Sequence, residues 1–88
     1  QYSSLFFGPK LSVEAPKNGQ VVGKNVIEVR GKTDQYATVL VDGDEAYVGF
    51  DGSFKKSVYV FPGEKKITIV AKNRFGKEAR EVVIVKVR

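Results

Sequence analysis

The 88-residue sequence predicts an all-β sandwich, and three observations carry that expectation. Short apolar runs alternate with polar residues. Turn pairs cut those runs at near-regular intervals: Asp42-Gly43, Asp51-Gly52, Pro62-Gly63, and Asn73 with Gly76. No window shows the 3.6-residue period of an amphipathic helix. Each turn pair has a mechanism: glycine takes positive φ without steric cost, Asp and Asn tolerate it, and proline pre-sets φ at the first central turn position.

The elements follow in order. Residues 1–9 carry no charged side chain and gather Tyr2, Leu5, Phe6 and Phe7, so they read as an apolar arm or linker ahead of a domain spanning 10–88. Lys10 to Ala15 forms a first strand with Leu11, Val13 and Ala15 on one face. Pro16 ends it or marks it as an edge, because proline cannot donate to a ladder. Asn18-Gly19 turns the chain into a second strand, Asn25 to Lys32, where Ile27, Val29 and Gly31 share a face. Ala37 to Val41 is the third, with Ala37, Val39 and Val41 inward, and Glu45 to Phe50 is a short fourth. Ser53 to Val60 turns Phe54, Val58 and Val60 inward; Lys56 shares their face, which puts that end at a rim. Past Pro62-Gly63, Lys65 to Lys72 buries Ile67, Ile69 and Ala71. Asn73 to Lys77 is a loop with Gly76 as its left-handed residue, and Glu78 to Val87 closes the fold with Val83, Val85 and Val87 inward. The count gives a seven-stranded antiparallel immunoglobulin-like β-sandwich.

Composition narrows the functional classes. The chain has no Cys and no His, which removes disulfides, the commonest general base and the commonest metal ligand. Fifteen Lys and Arg against ten Asp and Glu give a formal charge of +5, a balance that suits acidic partners as well as plain solubility. The chain starts at Gln1 rather than Met, so it is expected to be a piece of a longer protein.

The run from Val29 to Gly76 carries a resemblance. Val29, Gly31, Thr33, Ala37, Val39, Val41 and Gly43, then Asp51, Gly52 and Phe54, then Pro62, Gly63, Ile67, Ile69, Ala71, Asn73 and Gly76 recur at the spacing of a known pattern. The sequence resembles the bacterial immunoglobulin-like modules named after domain B of glucodextranase, over about residues 10–88. The resemblance implies an accessory unit of an extracytoplasmic bacterial protein, including the outer end of membrane-anchored proteins similar to RodZ. It brings no catalytic residues. Gln35 or Tyr36 stands where the family often has Pro, and the outward positions hold Lys, Arg, Tyr and Val more often than small Thr or Ser.

The candidate chemistry is sparse. Asp42, Asp44, Glu45 and Asp51 lie within ten residues, yet Asp42 and Asp51 each precede Gly, where a turn explains them, and the spacing fits no EF-hand loop. Asp44 and Glu45 are adjacent, so on a strand they point to opposite faces and cannot clamp one glycosidic bond. The serines have no His to activate them. The expectation is therefore a non-catalytic module with no catalytic residue, no metal and no cofactor.

Two surfaces are candidates for binding. Leu40, Val70, Val82 and Ile84 fall on outward positions yet are apolar, so they mark a seat for the arm residues Tyr2, Leu5, Phe6 and Phe7, a partner surface, or an inverted strand register. Tyr36, Tyr47, Phe50, Lys66, Lys72, Arg80 and Lys86 supply aromatic rings and positive charge for an anionic polymer. Tyr59, Phe61 and Phe75 are interleaved with the basic residues of the second half, a combination that holds single-stranded nucleic acid, although no aromatic RNA-binding motif or phosphate loop appears. The expected role is an accessory or interaction module of a larger cell-envelope or secreted protein. Its expected partners are domains of the same or a neighbouring chain. A carbohydrate or anionic wall polymer is the first alternative and a nucleic-acid-binding barrel the second, disfavoured one. Membrane contact is expected only through a tether outside this fragment.

Overall fold

The computed structural model of the chain describes residues 10–88; the arm of residues 1–9, with its aromatic cluster, lies outside the described residues. Eight strands follow one another: β1 (Leu11–Ala15), β2 (Val21–Val22), β3 (Val26–Thr33), β4 (Thr38–Val41), β5 (Asp44–Val48), β6 (Ser53–Tyr59), β7 (Gly63–Lys72) and β8 (Glu78–Val87). β1, β3, β6 and β5 pair antiparallel as one sheet, and β4, β7 and β8 form the other, with β2 added parallel to β8. β5 pairs with β4 on one side and with β6 on the other, so it stitches the two sheets into one continuous order.

The period-2 alternation read from the sequence is the burial pattern of the structure. β3 alternates without a break, with Ile27, Val29, Gly31 and Thr33 inward. Ile67, Ile69, Val29, Val39, Val41 and Val85 are fully enclosed, and Phe54 joins them at 3% exposure. Burying each such side chain contributes roughly 1.5–3 kcal/mol, which is what drives the two sheets together. Two details differ from expectation. Val58, expected inward, is only half-buried. β5 covers β6 only at Phe54 and Lys55, so the far half of β6 is an edge and Val58 lacks cover on that flank.

The eighth strand, β2, is the second difference. It is too short to show as a run, and long-range pairing alone defines it. After a turn closed by Gln20 N–H donating to the Lys17 carbonyl at 3.0 Å, the chain runs down the outer edge of β8. Ile84 N–H donates to Asn18 Oδ1 at 2.8 Å, Lys86 N–H to the Gln20 carbonyl at 2.9 Å and Arg88 N–H to the Val22 carbonyl at 2.9 Å. That segment caps the lower half of an edge that would otherwise offer unpaired groups to another chain.

Topology sets which loops meet. Lys32 of β3 lies opposite Ser53 of β6, and Thr38 of β4 lies opposite Lys72 of β7. The β3–β4 loop (34–37) is therefore flanked by the β5–β6 loop (49–52) on one side and the β7–β8 loop (73–77) on the other. Lys10, at the entry to β1, arrives at the same end, where its N–H donates to Asp34 Oδ2 at 3.3 Å. We call this end the loop pole. The opposite pole holds residues 23–25, the crossing 60–62 and Arg88.

Candidate functional site

The loop pole is built from three tight turns, and two of them repeat one design. In the β5–β6 loop, Gly52 N–H donates to the Gly49 carbonyl at 3.0 Å and Gly49 N–H to the Ser53 carbonyl at 2.8 Å. In the β7–β8 loop, Gly76 N–H donates to the Asn73 carbonyl at 3.1 Å and Asn73 N–H to the Lys77 carbonyl at 2.9 Å. Gly52 and Gly76 both sit in the left-handed region, at φ 84° and 85°. This is the hairpin connection that needs a left-handed residue after a three-residue turn, hence the glycine in each. Side chains lock both loops. Asp51 Oδ1 accepts from Ser53 N–H at 3.0 Å and from Ser53 Oγ at 2.7 Å, while Asn73 Oδ1 accepts from Phe75 N–H at 2.9 Å and Lys77 N–H at 3.0 Å.

The third turn spans 34–37 and is closed by Ala37 N–H donating to the Asp34 carbonyl at 3.2 Å. Its third residue, Tyr36, has φ 69°, a conformation that a bulky side chain rarely takes. Thr33 ties this turn to its neighbours. Its N–H donates to the Gly52 carbonyl at 2.8 Å, and its hydroxyl donates to the Lys10 carbonyl at 2.6 Å.

Each turn holds up one aromatic ring. Tyr36 is 71% exposed, Phe50 90% and Phe75 75%. Rings that open stand clear of the surface of the described residues. None is required by its turn, since glycine, Asp and Asn already satisfy the backbone. Around the rings lie Lys10, Lys32, Lys72, Arg74 and Lys77 against the carboxylates Asp34, Asp51 and Glu78. Arg74 stacks over Phe75 with its guanidinium 5.3 Å from the ring centre, a contact in the cation–π range. The Ser53 hydroxyl, then the Ser53 N–H, hold the Asp51 carboxyl below the ordinary carboxylate range, with help from Lys32. Asp51 is thus an anion that holds a turn and is not poised to deliver a proton.

Asp42 is equally structural. Asp42 takes φ 51° and Gly43 φ 88° in the two-residue β4–β5 hairpin. Asp42 N–H donates to the Thr68 carbonyl at 2.8 Å, Oδ1 accepts from Thr68 N–H at 2.9 Å, and Oδ2 meets Lys65 Nζ at 3.1 Å. Asp44 and Glu45 are exposed neighbours on β5. Among the described residues, no three His, Cys, Asp or Glu side chains gather into a metal-holding cluster.

The structure separates the polymer-binding residues expected from sequence. Tyr36, Phe50 and Lys72 stand at the loop pole. Lys66, Arg80 and Lys86 lie on the outer face of the β4–β7–β8 sheet, and Tyr47 lies on β5 opposite Lys55. On that outer face Leu40 pairs with Val70, Val70 with Arg80, Thr68 with Val82, and Lys66 with Ile84. Leu40, Val70, Val82 and Ile84 therefore form one diagonal stripe framed by Arg80 and Lys66. Leu40, Val82 and Ile84 are 36–40% exposed, roughly half the value of the pole aromatics. The outer face of the other sheet mixes charge with exposed rings: Glu28 lies between Arg30 at 3.7 Å and Lys55 at 3.8 Å, and Tyr47, Tyr59 and Val26 are exposed beside them. A groove of about 810 Å³ opens between β1 and β8, walled by Lys10, Val13, Pro16, Glu81 and Val83.

In the sequence Tyr36 and Phe50 stood together with Tyr47 as polymer-binding rings and Phe75 stood apart with Tyr59 and Phe61, so the meeting of Tyr36, Phe50 and Phe75 was missed. The signal was the N-R-F-G and G-F-D-G pair, two similar turns each with Phe at a central position where no turn needs it.

Comparisons with known proteins agree with this architecture. Modules described as fibronectin(III)-like, from Clostridium thermocellum CbhA, superpose with a TM-score of 0.67 at 17% identity, over 90% of this chain and 96% of theirs. An engineered protein gives 0.69 at 16% identity, and the twitchin kinase region from C. elegans gives 0.63 at 15%. The chain covers 91% and 99% of itself in those two matches but only 20% and 18% of the larger partners. At such identities these likenesses establish the fold alone. No curated protein matches in sequence. The family described as glucodextranase, domain B, matches residues 9–88, and with its turn and core residues in the places described above the chain belongs to that family.

Proposed function

We propose that this chain is a non-catalytic interaction module of a larger bacterial cell-envelope or secreted protein, outside the cytoplasm, and that the loop pole is its working surface. One observation carries the reading: three aromatic rings stand 71–90% exposed on three turns whose hydrogen bonds fix them in place. Leaving them in water forgoes roughly 1.5–3 kcal/mol each, a cost that a binding partner would recover. Family membership supports an accessory role. The acidic residues support it too, since Asp42 and Asp51 are engaged in turns.

A second reading, binding to an anionic wall polymer, draws on Lys66, Arg80 and Lys86 along one outer sheet face. Retention of the domain on washed bacterial envelopes, before and after lipid extraction, tests the main reading together with assays for sugar release. Retention without release is expected. Absence of retention on every fraction, or steady glycan turnover, would overturn it.

A further inference from the structure

We infer that the loop pole docks on an anionic lipid surface, with Tyr36, Phe50 and Phe75 entering the headgroup region and the surrounding cations meeting lipid charge. The inference rests on the reading of the pole as an interaction surface and names its partner. It departs from the expectation drawn from sequence, which allowed membrane contact only through a tether outside this fragment.

The geometry favours a bilayer over a rigid partner. The three rings stand on separate turns and share no wall, so a folded protein would need three separate holes to receive them. A fluid interface closes around each ring individually. Two of the three are Phe, which has no hydroxyl to hydrogen-bond a sugar, whereas aromatic and apolar side chains above a basic ring of residues are what an interfacial surface needs. Around the rings the cations Lys10, Lys32, Lys72, Arg74 and Lys77 outnumber the carboxylates Asp34, Asp51 and Glu78, and anionic leaflets attract a surface with that positive balance. The place of chain entry points the same way. Lys10 is fixed at this pole by Asp34 and Thr33, so the uncharged segment 1–9 joins the domain here. Tyr36 adds an independent sign. A left-handed φ of 69° is a position for glycine, and strain of this kind is kept where the side chain has a task.

Co-sedimentation of the 88-residue chain with vesicles of phosphatidylcholine, with and without 30% phosphatidylglycerol, tests the inference. Binding to the anionic vesicles is expected, fading between low and physiological salt. The double variant Phe50→Ser with Phe75→Ser should lose at least tenfold in partitioning, while Phe61→Ser at the opposite pole should change it less than twofold. Tyr36→Gly should melt roughly 2–4 °C higher and yet bind more weakly, a split that a purely structural role would not give. The chain has no Cys, so a polarity-sensitive dye placed by Gln35→Cys or Asn25→Cys reads orientation even if the double variant misfolds. The dye at position 35 should shift to the blue with anionic vesicles and the dye at 25 should not. Equal shifts at both positions, unchanged binding of the double variant, or retention on lipid-extracted envelopes without vesicle binding would each overturn the inference. The last outcome would leave the module reading intact and remove the lipid.

Discussion

Both poles of the sandwich show aromatic rings to solvent, but they hold them differently. At the opposite pole Tyr59 and Phe61 flank the crossing between β6 and β7, where Val60 N–H donates to the Asn25 carbonyl at 2.8 Å, and Gly63 sits with nothing within 4 Å of its missing Cβ. At the loop pole two of the three turns, 34–37 and 49–52, are tied through Thr33, and the 73–77 hairpin is locked within itself. Thr33 bonds Gly52 and Lys10, Asp51 and Asn73 lock their own hairpins, and a Cβ on Gly52 would meet the Thr33 carbonyl oxygen at 2.1 Å. Exposure of a ring is therefore a weak signal by itself. Exposure on a turn that the fold has fixed is a stronger one, because a pre-organised side chain loses less freedom on binding.

The largest way to break this difference lies beneath the loops. Phe54 follows directly on the β5–β6 turn, and its ring fills the space left by Gly31, whose missing Cβ would lie 2.6 Å from Phe54 Cζ. Phe54→Ala should cost about 3–5 kcal/mol in urea unfolding, the range for a buried aromatic. It should also loosen the Gly49–Ser53 hairpin more than the Val60 end. A loss under about 1 kcal/mol would mean that the loop pole does not rest on this ring.

Glycine substitutions sharpen the comparison directly. Gly52→Ala combines a left-handed φ, about 1–2 kcal/mol, with a collision against backbone, about 1–3 kcal/mol. The sum is about 2–5 kcal/mol. Gly63→Ala carries the φ cost alone, about 1–3 kcal/mol, since its φ is 122° and the space around it is open. Paired thermal melts give the ordering, and equal losses would show that the two poles are equally tolerant.

These contrasts separate what the sequence could show from what it could not. Alternation in Val26–Thr33 and in Gly63–Lys72 made the inward residues legible, because each strand has one buried face and period 2 leaves no freedom. Asp42-Gly43, Asp51-Gly52 and Gly76 were legible because positive φ has few suitable residues. β2 was not, since two valines become a strand only when β8 lies beside them. Nor was the loop pole. Residues 36, 50 and 75 are far apart in the chain, and only the pairing of β3 with β6 and of β4 with β7 brings their turns together. Leu40, Val70, Val82 and Ile84 were visible as outward apolar positions, but that they form one diagonal beside Lys66 and Arg80 depends on the register of β4, β7 and β8.

A smaller effect is expected at Tyr36. Tyr36→Gly removes a left-handed strain of about 1–2 kcal/mol and adds a backbone-entropy cost of about 0.5–1 kcal/mol. A net gain of about 0.5 kcal/mol should result. Calorimetry decides: a loss of stability would show that the Tyr36 side chain holds the loop pole together rather than being held up by it.

The smallest effect separates the two like-built hairpins by charge. Asp51 holds the 49–53 loop and Asn73 holds the 73–77 loop, with side-chain oxygens accepting from backbone N–H groups in both. Only the first can titrate. The Ser53 hydroxyl and N–H lower the Asp51 value in the folded chain, so its contribution to stability is fully present above the ordinary carboxylate value. That contribution is lost as pH falls through the lowered folded value. Asp51 is an exposed group, so the change in global stability should be slight and the local change clearer. An acid titration by NMR should therefore move the Ser53 amide as Asp51 takes up its proton, with a midpoint below that of an unstructured Asp. The Phe75 and Lys77 amides should stay still over the same range, because the Asn73 carboxamide keeps its acceptor. If the Ser53 amide titrates at the ordinary value, the hydroxyl does not hold the carboxylate. If the Lys77 amide moves in step with it, the two hairpins share one acid-sensitive support and the loop pole is a single cooperative unit.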